Sequence, residues 1–120
     1  MRQWILPGTV LAAMAFSGCG PSVAYRQEAI SEFEVGHIAR AKPMFGQALQ
    51  QAPSDPVALY YMGRIHCEEQ DWENAIYYFQ CCLDVDPGNA DARAWLLKSE
   101  DATQVIGERL RFIPLPPARK

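Results

Sequence analysis

The chain lacks the features that mark most nucleic-acid-binding proteins and zinc proteins. Its 11 Lys and Arg residues are outnumbered by 14 Asp and Glu residues, which gives a formal net charge of −3. A nucleic-acid-binding domain normally carries a basic face, so this balance argues against such a partner. The four cysteines do not have the paired C-x-x-C spacing of a zinc site.

Long hydrophobic runs are also missing. The N-terminal apolar stretch from Trp4 to Phe16 has thirteen residues, whereas a membrane-spanning helix needs about 20. A short apolar stretch that follows a positive residue, here Arg2, is typical of a secretory signal peptide. The sequence therefore predicts that residues 1–18 form a signal peptide.

The end of this stretch resembles the bacterial lipobox, in which an apolar residue and two small residues precede a cysteine. The matching residues are Phe16, Ser17, Gly18 and Cys19. The resemblance implies export, cleavage before Cys19 and lipid attachment to its thiol, which would anchor the protein to the cell membrane. Lipoproteins retained in the inner membrane often have an aspartate at the next position. Gly20 stands there, which favours the periplasmic face of the outer membrane if the host has one. An ordinary secretory signal or a short buried helix is the alternative.

A self-similarity with a period of about 34 residues occupies the middle of the chain. Identical or similar residues coincide after a shift by this repeat period: Ala41 with Ala75, Phe45 with Phe79, Ala48 with Cys82, Leu49 with Leu83, and Pro53 with Pro87. Each copy has the apolar spacing of two amphipathic helices. Asp55 and Asp71 are predicted to cap the helices of the second copy, with Pro56 in the first helical position. Asn89 is predicted to cap a last helix reaching about Phe112, whose apolar contacts would come from Trp95, Leu96, Val105, Ile106 and Leu110.

The two copies resemble the tetratricopeptide repeat. The second copy matches it at Leu59, Met62, Gly63, His66, Ala75, Phe79, Cys82 and Pro87, and the first at Gly36, Ile38, Ala41, Phe45, Ala48 and Pro53. The resemblance implies an all-α, right-handed stack of helix-turn-helix hairpins. The predicted domain covers residues 19–112, with repeats at 22–55 and 56–89, a capping helix at 90–112 and a Pro-rich basic tail at 113–120. Its repeat-core positions are Ala41, Phe45, Ala48, Pro53, Gly63, Ala75, Phe79, Cys82 and Pro87.

The same resemblance implies a binding groove lined by the first helix of each unit. The corresponding partner-facing residues are Ile30, Phe33, Tyr60, Arg64 and Lys98. Tyr60 and Arg64 lie one turn apart on one helix face, and such residues are frequent anchors of interfaces. Arg64 and Lys98 are separated by one repeat period, so they indicate a positive spot in the groove.

The candidate catalytic residues are His66, Cys67 and Glu68, and the candidate metal ligands are Cys67, Cys81 and Cys82 with a histidine. Adjacent residues of a helix point about 100° apart, so His66 is not expected to activate the Cys67 thiol. Cys67 is expected to lie a helix length from Cys81 and Cys82, too far for a shared metal or a disulfide. We therefore predict no enzyme activity, metal or cofactor. An exposed Cys67 or Cys81 could still pair with another chain.

These features together predict a non-catalytic adaptor that binds a protein or peptide partner at the bacterial cell envelope. Only Gly20 and Pro21 separate Cys19 from the first repeat, so the partner would have to be reachable near the membrane. Two alternatives remain open: a structural subunit that self-associates into a homo-oligomer, and a thiol-based redox protein.

Overall fold

The computed structural model describes residues 21–111, and in this range the protein is entirely α-helical. The five helices are α1 (Pro21–Glu34), α2 (Ile38–Gln51), α3 (Pro56–Glu68), α4 (Trp72–Val85) and α5 (Ala90–Arg111). The prediction of an all-α fold is therefore confirmed. The predicted signal peptide, the lipid acceptor Cys19 and the tail at 113–120 lie outside the described residues.

The predicted caps set the starts of three helices. Asp55 precedes α3 and its carboxylate accepts hydrogen bonds from the backbone N–H groups of Val57 and Ala58. Asp71 caps α4 through the N–H of Asn74, and hydrogen bonds from Asn74 are the main reason that the pKa of Asp71 is lowered. At the start of α5, the side chain of Asn89 accepts from the N–H of Ala92 at 2.9 Å. Each cap satisfies a backbone donor that the first helical turn leaves free.

The repeat period recurs in the backbone geometry. The turn between α1 and α2 places Gly36 at φ 89°, and the turn between α3 and α4 places Gln70, one repeat period later, at φ 60°. In both turns the next residue donates its N–H across the turn at 2.8 Å, from His37 to the carbonyl of Glu32 and from Asp71 to that of His66. The two pairs of helices are thus closed by the same turn, although only the first turn has a glycine at its left-handed position.

Consecutive helices pack on one another: α1 on α2, α2 on α3, α3 on α4 and α4 on α5. Two clusters of buried side chains result, one around Phe45 between the first three helices and one around Phe79 between the last three. Gly63 allows α4 to approach α3 closely, because the ring of Phe79 occupies the space that a Cβ atom would need. The helices of the second pair run antiparallel, since Pro56 at the start of α3 meets Cys82 near the end of α4.

Seven of the nine predicted repeat-core residues are buried, and two are not. Ala41, Phe45, Ala48, Gly63, Ala75, Phe79 and Cys82 lie in the interior. Pro53 and Pro87 are exposed. Both lie just beyond the end of a helix, where proline prevents the helix from continuing because it lacks an N–H, and this role does not require burial. Their grouping with the core was wrong.

The last helix was also predicted to bury more apolar surface than it does. Trp95 and Leu96 are half-buried against the second cluster. Val105, Ile106 and Leu110, expected to make apolar contacts, are 47%, 44% and 61% exposed. The reason is length: α5 has 22 residues and α4 has 14. Since each residue adds about 1.5 Å to a helix, the last part of α5 extends beyond the helix on which it packs.

Candidate partner-binding surface

The first helix of each pair and the last helix lie side by side. Helix α3 contacts both α1 and α5, and their shared face is called here the α1–α3–α5 surface. Four of the five predicted partner-facing residues, Phe33, Tyr60, Arg64 and Lys98, meet on it. The fifth, Ile30, is half-buried and packs against the first core cluster.

Arg64 is the centre of this surface. Its guanidinium carbon lies 4.1 Å from the ring centroid of Trp95, 5.4 Å from that of Phe33 and 5.9 Å from that of Tyr60. Its Nη1 also donates a hydrogen bond of 3.1 Å to the hydroxyl of Tyr60. Each cation–π contact contributes about 0.5–2 kcal/mol, so side chains from three helices hold the guanidinium in place.

Lys98 brings a second positive charge to the same indole ring. Its Nζ lies 4.2 Å from the centroid of Trp95. Both charges are thus within about one Debye length, roughly 8–10 Å, of each other. Among the ion pairs of residues 21–111, none involves Arg64 or Lys98. In the described region the structure therefore presents two cations that have no carboxylate at ion-pair distance and that lie beside the same indole ring.

Trp95 was not among the predicted partner-facing residues, although it joins the two cations. It was assigned only to the apolar contacts of the last helix. The repeat period aligns it with Tyr61, which stacks on Phe45 at 5.1 Å with the rings 7° apart. This alignment of two aromatic residues is the sequence feature that could have indicated a role for Trp95 between neighbouring helices. Its functional meaning depends on Arg64, which lies on another helix.

Cys67 lies beneath this surface and is not open to another chain. It is 7% exposed, and its Sγ is 3.4 Å from the hydroxyl of Ser99 on α5. Burial raises the pKa of the Cys67 thiol. The Ser99 contact and the charges of Arg64 and Lys98 lower this pKa by less, so the pKa remains above its usual value. The neutral thiol therefore predominates at neutral pH. Of the two cysteines considered for pairing with another chain, Cys67 is therefore closed off by α5, whereas Cys81 is half-buried.

His66 and Cys67 face different neighbours. The His66 ring stacks on Tyr78 of α4 at 5.2 Å with an interplanar angle of 10°. Its Nδ1 lies 3.2 Å from a carboxylate oxygen of Asp71. The imidazole is thus directed toward the α3–α4 turn and the thiol toward α5, so the two groups do not form a catalytic pair.

A further concave region lies beside α5 in the described part of the chain. A cavity of about 260 Å³ lies between the α3–α4 turn and α5, and it is lined by Gln70, Asp71, Trp72, Glu73, Thr103 and Ile106. It does not include Arg64 or Trp95. Within residues 21–111, no three His, Cys, Asp or Glu side chains are placed so that they could bind a metal.

Comparison with known proteins identifies no family model and no curated protein that matches this chain. The resemblance to the tetratricopeptide repeat therefore stays a prediction. No helix between residues 21 and 111 combines the length and the apolar character needed to cross a bilayer.

Proposed function

We propose that this protein is a non-catalytic adaptor that captures a segment of another protein on its α1–α3–α5 surface. The observation that carries the proposal is the cluster of Arg64, Trp95 and Lys98, where two cations and several aromatic rings meet without an acidic partner from the described helices. Aromatic residues and arginine are the most frequent energetic anchors of protein interfaces. Side chains that are already held in place bind a partner at a lower entropic cost.

A stack of two tetratricopeptide hairpins with α5 as its cap is the architecture we propose for this surface. The recurrence of turn geometry, hydrogen bonds and buried residues after one repeat period supports it. In such a stack, the first helices of successive units align and form a continuous binding face. The contacts of α3 with α1 and α5 are compatible with that arrangement.

A lipid on Cys19 is the anchor that we propose, at the outer face of a bacterial cell membrane or the periplasmic face of an outer membrane. Helix α1 begins at Pro21, two residues after Cys19. Two residues span at most about 7 Å, so the helical domain would sit against the bilayer and its partner would be membrane-proximal. Mass spectrometry of the protein from membrane fractions should detect an acylated N-terminal Cys19. An unmodified N-terminus at another position would refute the anchor.

The adaptor function is tested by capturing partners from envelope extracts with the full-length protein. Arg64→Glu should abolish capture of the specific partner because it reverses the central charge. Arg40→Glu is the control, since it makes the same charge change on α2, which has no contact with α5. It also breaks the exposed pair of Arg40 with Glu32 at 3.5 Å, and such surface pairs contribute little to stability. Circular dichroism should show equal helicity for both variants. Equal capture by the wild type and Arg64→Glu would contradict the proposal.

Self-association is the second candidate function, and the apolar side chains on α5 favour it. Leu97, Val105, Ile106 and Leu110 are all exposed by more than two fifths. Ile106 and Leu110 lie one turn apart on one face of α5, and exposed apolar surface often marks an interface. Light scattering of the purified protein distinguishes the two functions: a tight dimer that covers Tyr60 would contradict an open adaptor surface.

The burial and raised pKa of Cys67 argue against a thiol-based redox function, which would require that Cys67→Ser abolish activity.

A further inference from the structure

We infer that the α1–α3–α5 surface recognises an acidic side chain, aspartate or glutamate, that is flanked by apolar residues in an extended partner segment. This inference rests on the proposed adaptor function and specifies the chemistry of the partner. Its centre is the pair of cations at Trp95, where a single carboxylate of the partner would be bound by Arg64 and Lys98.

The first argument is charge complementarity. Within residues 21–111, neither Arg64 nor Lys98 has a carboxylate at ion-pair distance, although the protein has more acidic than basic residues. Arg26 and Lys42, by contrast, do have such partners: Arg26 pairs with Asp55 at 2.9 Å and Lys42 with Glu69 at 2.7 Å. Arg93, Arg109 and Arg111 form no ion pair within residues 21–111 either. What distinguishes Arg64 and Lys98 is that both charges lie beside one indole ring, where a single external carboxylate could reach both.

The second argument is the geometry of Arg64. One of its terminal nitrogens donates to Tyr60, and three aromatic rings surround the guanidinium. A guanidinium has five N–H donors and forms paired hydrogen bonds with a carboxylate, so one bond to Tyr60 leaves donors for a ligand. Since the aromatic rings reduce access of water, a carboxylate bound here would interact more strongly than at an open surface.

The third argument concerns what surrounds the cations. Phe33, Tyr60 and Trp95 provide apolar contact area beside the charges, which suits apolar residues on either side of the acidic one. Glu34 and Glu68 also lie near this surface: burial is the main cause that raises the pKa values of Tyr61 and Cys67, and the charges of Glu34 and Glu68 add to it. Two local carboxylates would repel a densely charged polyanion. The surroundings thus favour one carboxylate in a largely apolar segment over a nucleic acid or an anionic membrane surface.

The inference is tested by selecting binders for the purified full-length protein from a library of random twelve-residue peptides. We expect the binding peptides to share an Asp or Glu at one aligned position next to apolar residues. Replacing that residue by Gln or Asn should weaken binding at least about tenfold, as expected for loss of a charge-assisted bond at an interface. The affinity is measured by titration of the tryptophan fluorescence, to which Trp95 contributes.

Three protein variants make the test specific. Lys98→Ala and Arg64→Ala should each weaken binding of the acidic peptide several-fold or more; Lys98 is at an exposed position. Arg64→Lys should have an intermediate effect, because it keeps the charge but loses the paired hydrogen bonds. Arg40→Ala, which removes the same charge from α2, should leave the affinity within about twofold of the wild type. Lys98→Ala keeps the test informative even if Arg64→Ala does not fold.

The outcomes separate this inference from the function on which it rests. Binding peptides without a shared acidic residue, or binding that is insensitive to Lys98→Ala and Arg64→Ala, would overturn the acidic specificity and leave the adaptor function standing. Binding to phosphatidylglycerol vesicles that both variants weaken, without any acidic peptide selected, would overturn it in favour of a lipid site. Failure to select any peptide, together with failure to capture a partner, would refute the adaptor function itself.

Discussion

Gly63 provides the sharpest test of how the helices pack. A Cβ atom added at this position would lie 2.6 Å from Cε1 of Phe79 and 2.8 Å from two further ring carbons. Phe79 is completely buried, so its ring cannot move out of the way into solvent. Two effects of Gly63→Ala therefore compete. Alanine favours a helix interior over glycine by about 1 kcal/mol, whereas overpacking of a core costs about 1–3 kcal/mol.

At separations below 3.0 Å the steric term should dominate, so we expect Gly63→Ala to lower the free energy of unfolding by about 1–2 kcal/mol. Gly46→Ala on α2 is the matched control, because no atom lies within 4 Å of the added Cβ. It should raise the free energy of unfolding by about 0.5–1 kcal/mol. Both changes insert one methyl group into a helix, so the opposite signs isolate the contact with Phe79.

The measurement is urea unfolding followed by circular dichroism at equal protein concentration. Placing Gly63→Ala in a Phe79→Leu background should remove most of its cost, because the smaller side chain no longer meets the added methyl group. The reasoning would be refuted if Gly63→Ala were as stable as Gly46→Ala, or if its effect were unchanged in the Phe79→Leu background.

Three further predictions use the same unfolding assay or a simple thiol titration. Asp55→Ala removes both a helix cap and the buried partner of Arg26, so it should lower the free energy of unfolding by about 2–4 kcal/mol. A decrease of less than about 1 kcal/mol would contradict the contact between Arg26 and Asp55. Gln70→Gly should stabilise by about 0.5–1 kcal/mol, because Gln70 has a positive φ that glycine adopts without strain; destabilisation would argue against this turn geometry. A thiol reagent should modify the half-buried Cys81 before Cys67, whose pKa is raised by burial, and equal rates in the folded protein would refute the burial of Cys67.

Most of the helical framework could be predicted from the sequence, because its signals are local. A cap such as Asp55, Asp71 or Asn89 acts within three residues of its own position, and each one begins a helix as predicted. Helical spacing likewise identifies which side of α4 faces inward, and Phe79 is completely buried as that spacing indicates. The repeat period places Gly36 and Gln70 at equivalent positions, although it did not reveal the positive φ of Gln70.

The candidate site could be predicted only in part. The spacing of Arg64 and Lys98 indicated a shared positive spot, but it could not show that Trp95 joins them at 4.1 and 4.2 Å. That contact depends on the distance and rotation between α3 and α5, which no pattern within one helix encodes. The same limit explains why the sequence left the exposure of Cys67 open and overestimated the burial of Ile106, since both depend on how far α5 covers its neighbours.

The sequence by itself thus determined where the helices begin, which faces turn inward and how often the unit repeats, since these follow from caps, spacing and period. Only the tertiary structure decided that Arg64 and Lys98 meet at one indole ring, that Cys67 is closed off and that the end of α5 is uncovered. The physical reason is that the first set depends on hydrogen bonds and side-chain directions within a few residues of chain. The second set depends on packing between helices that are far apart in sequence.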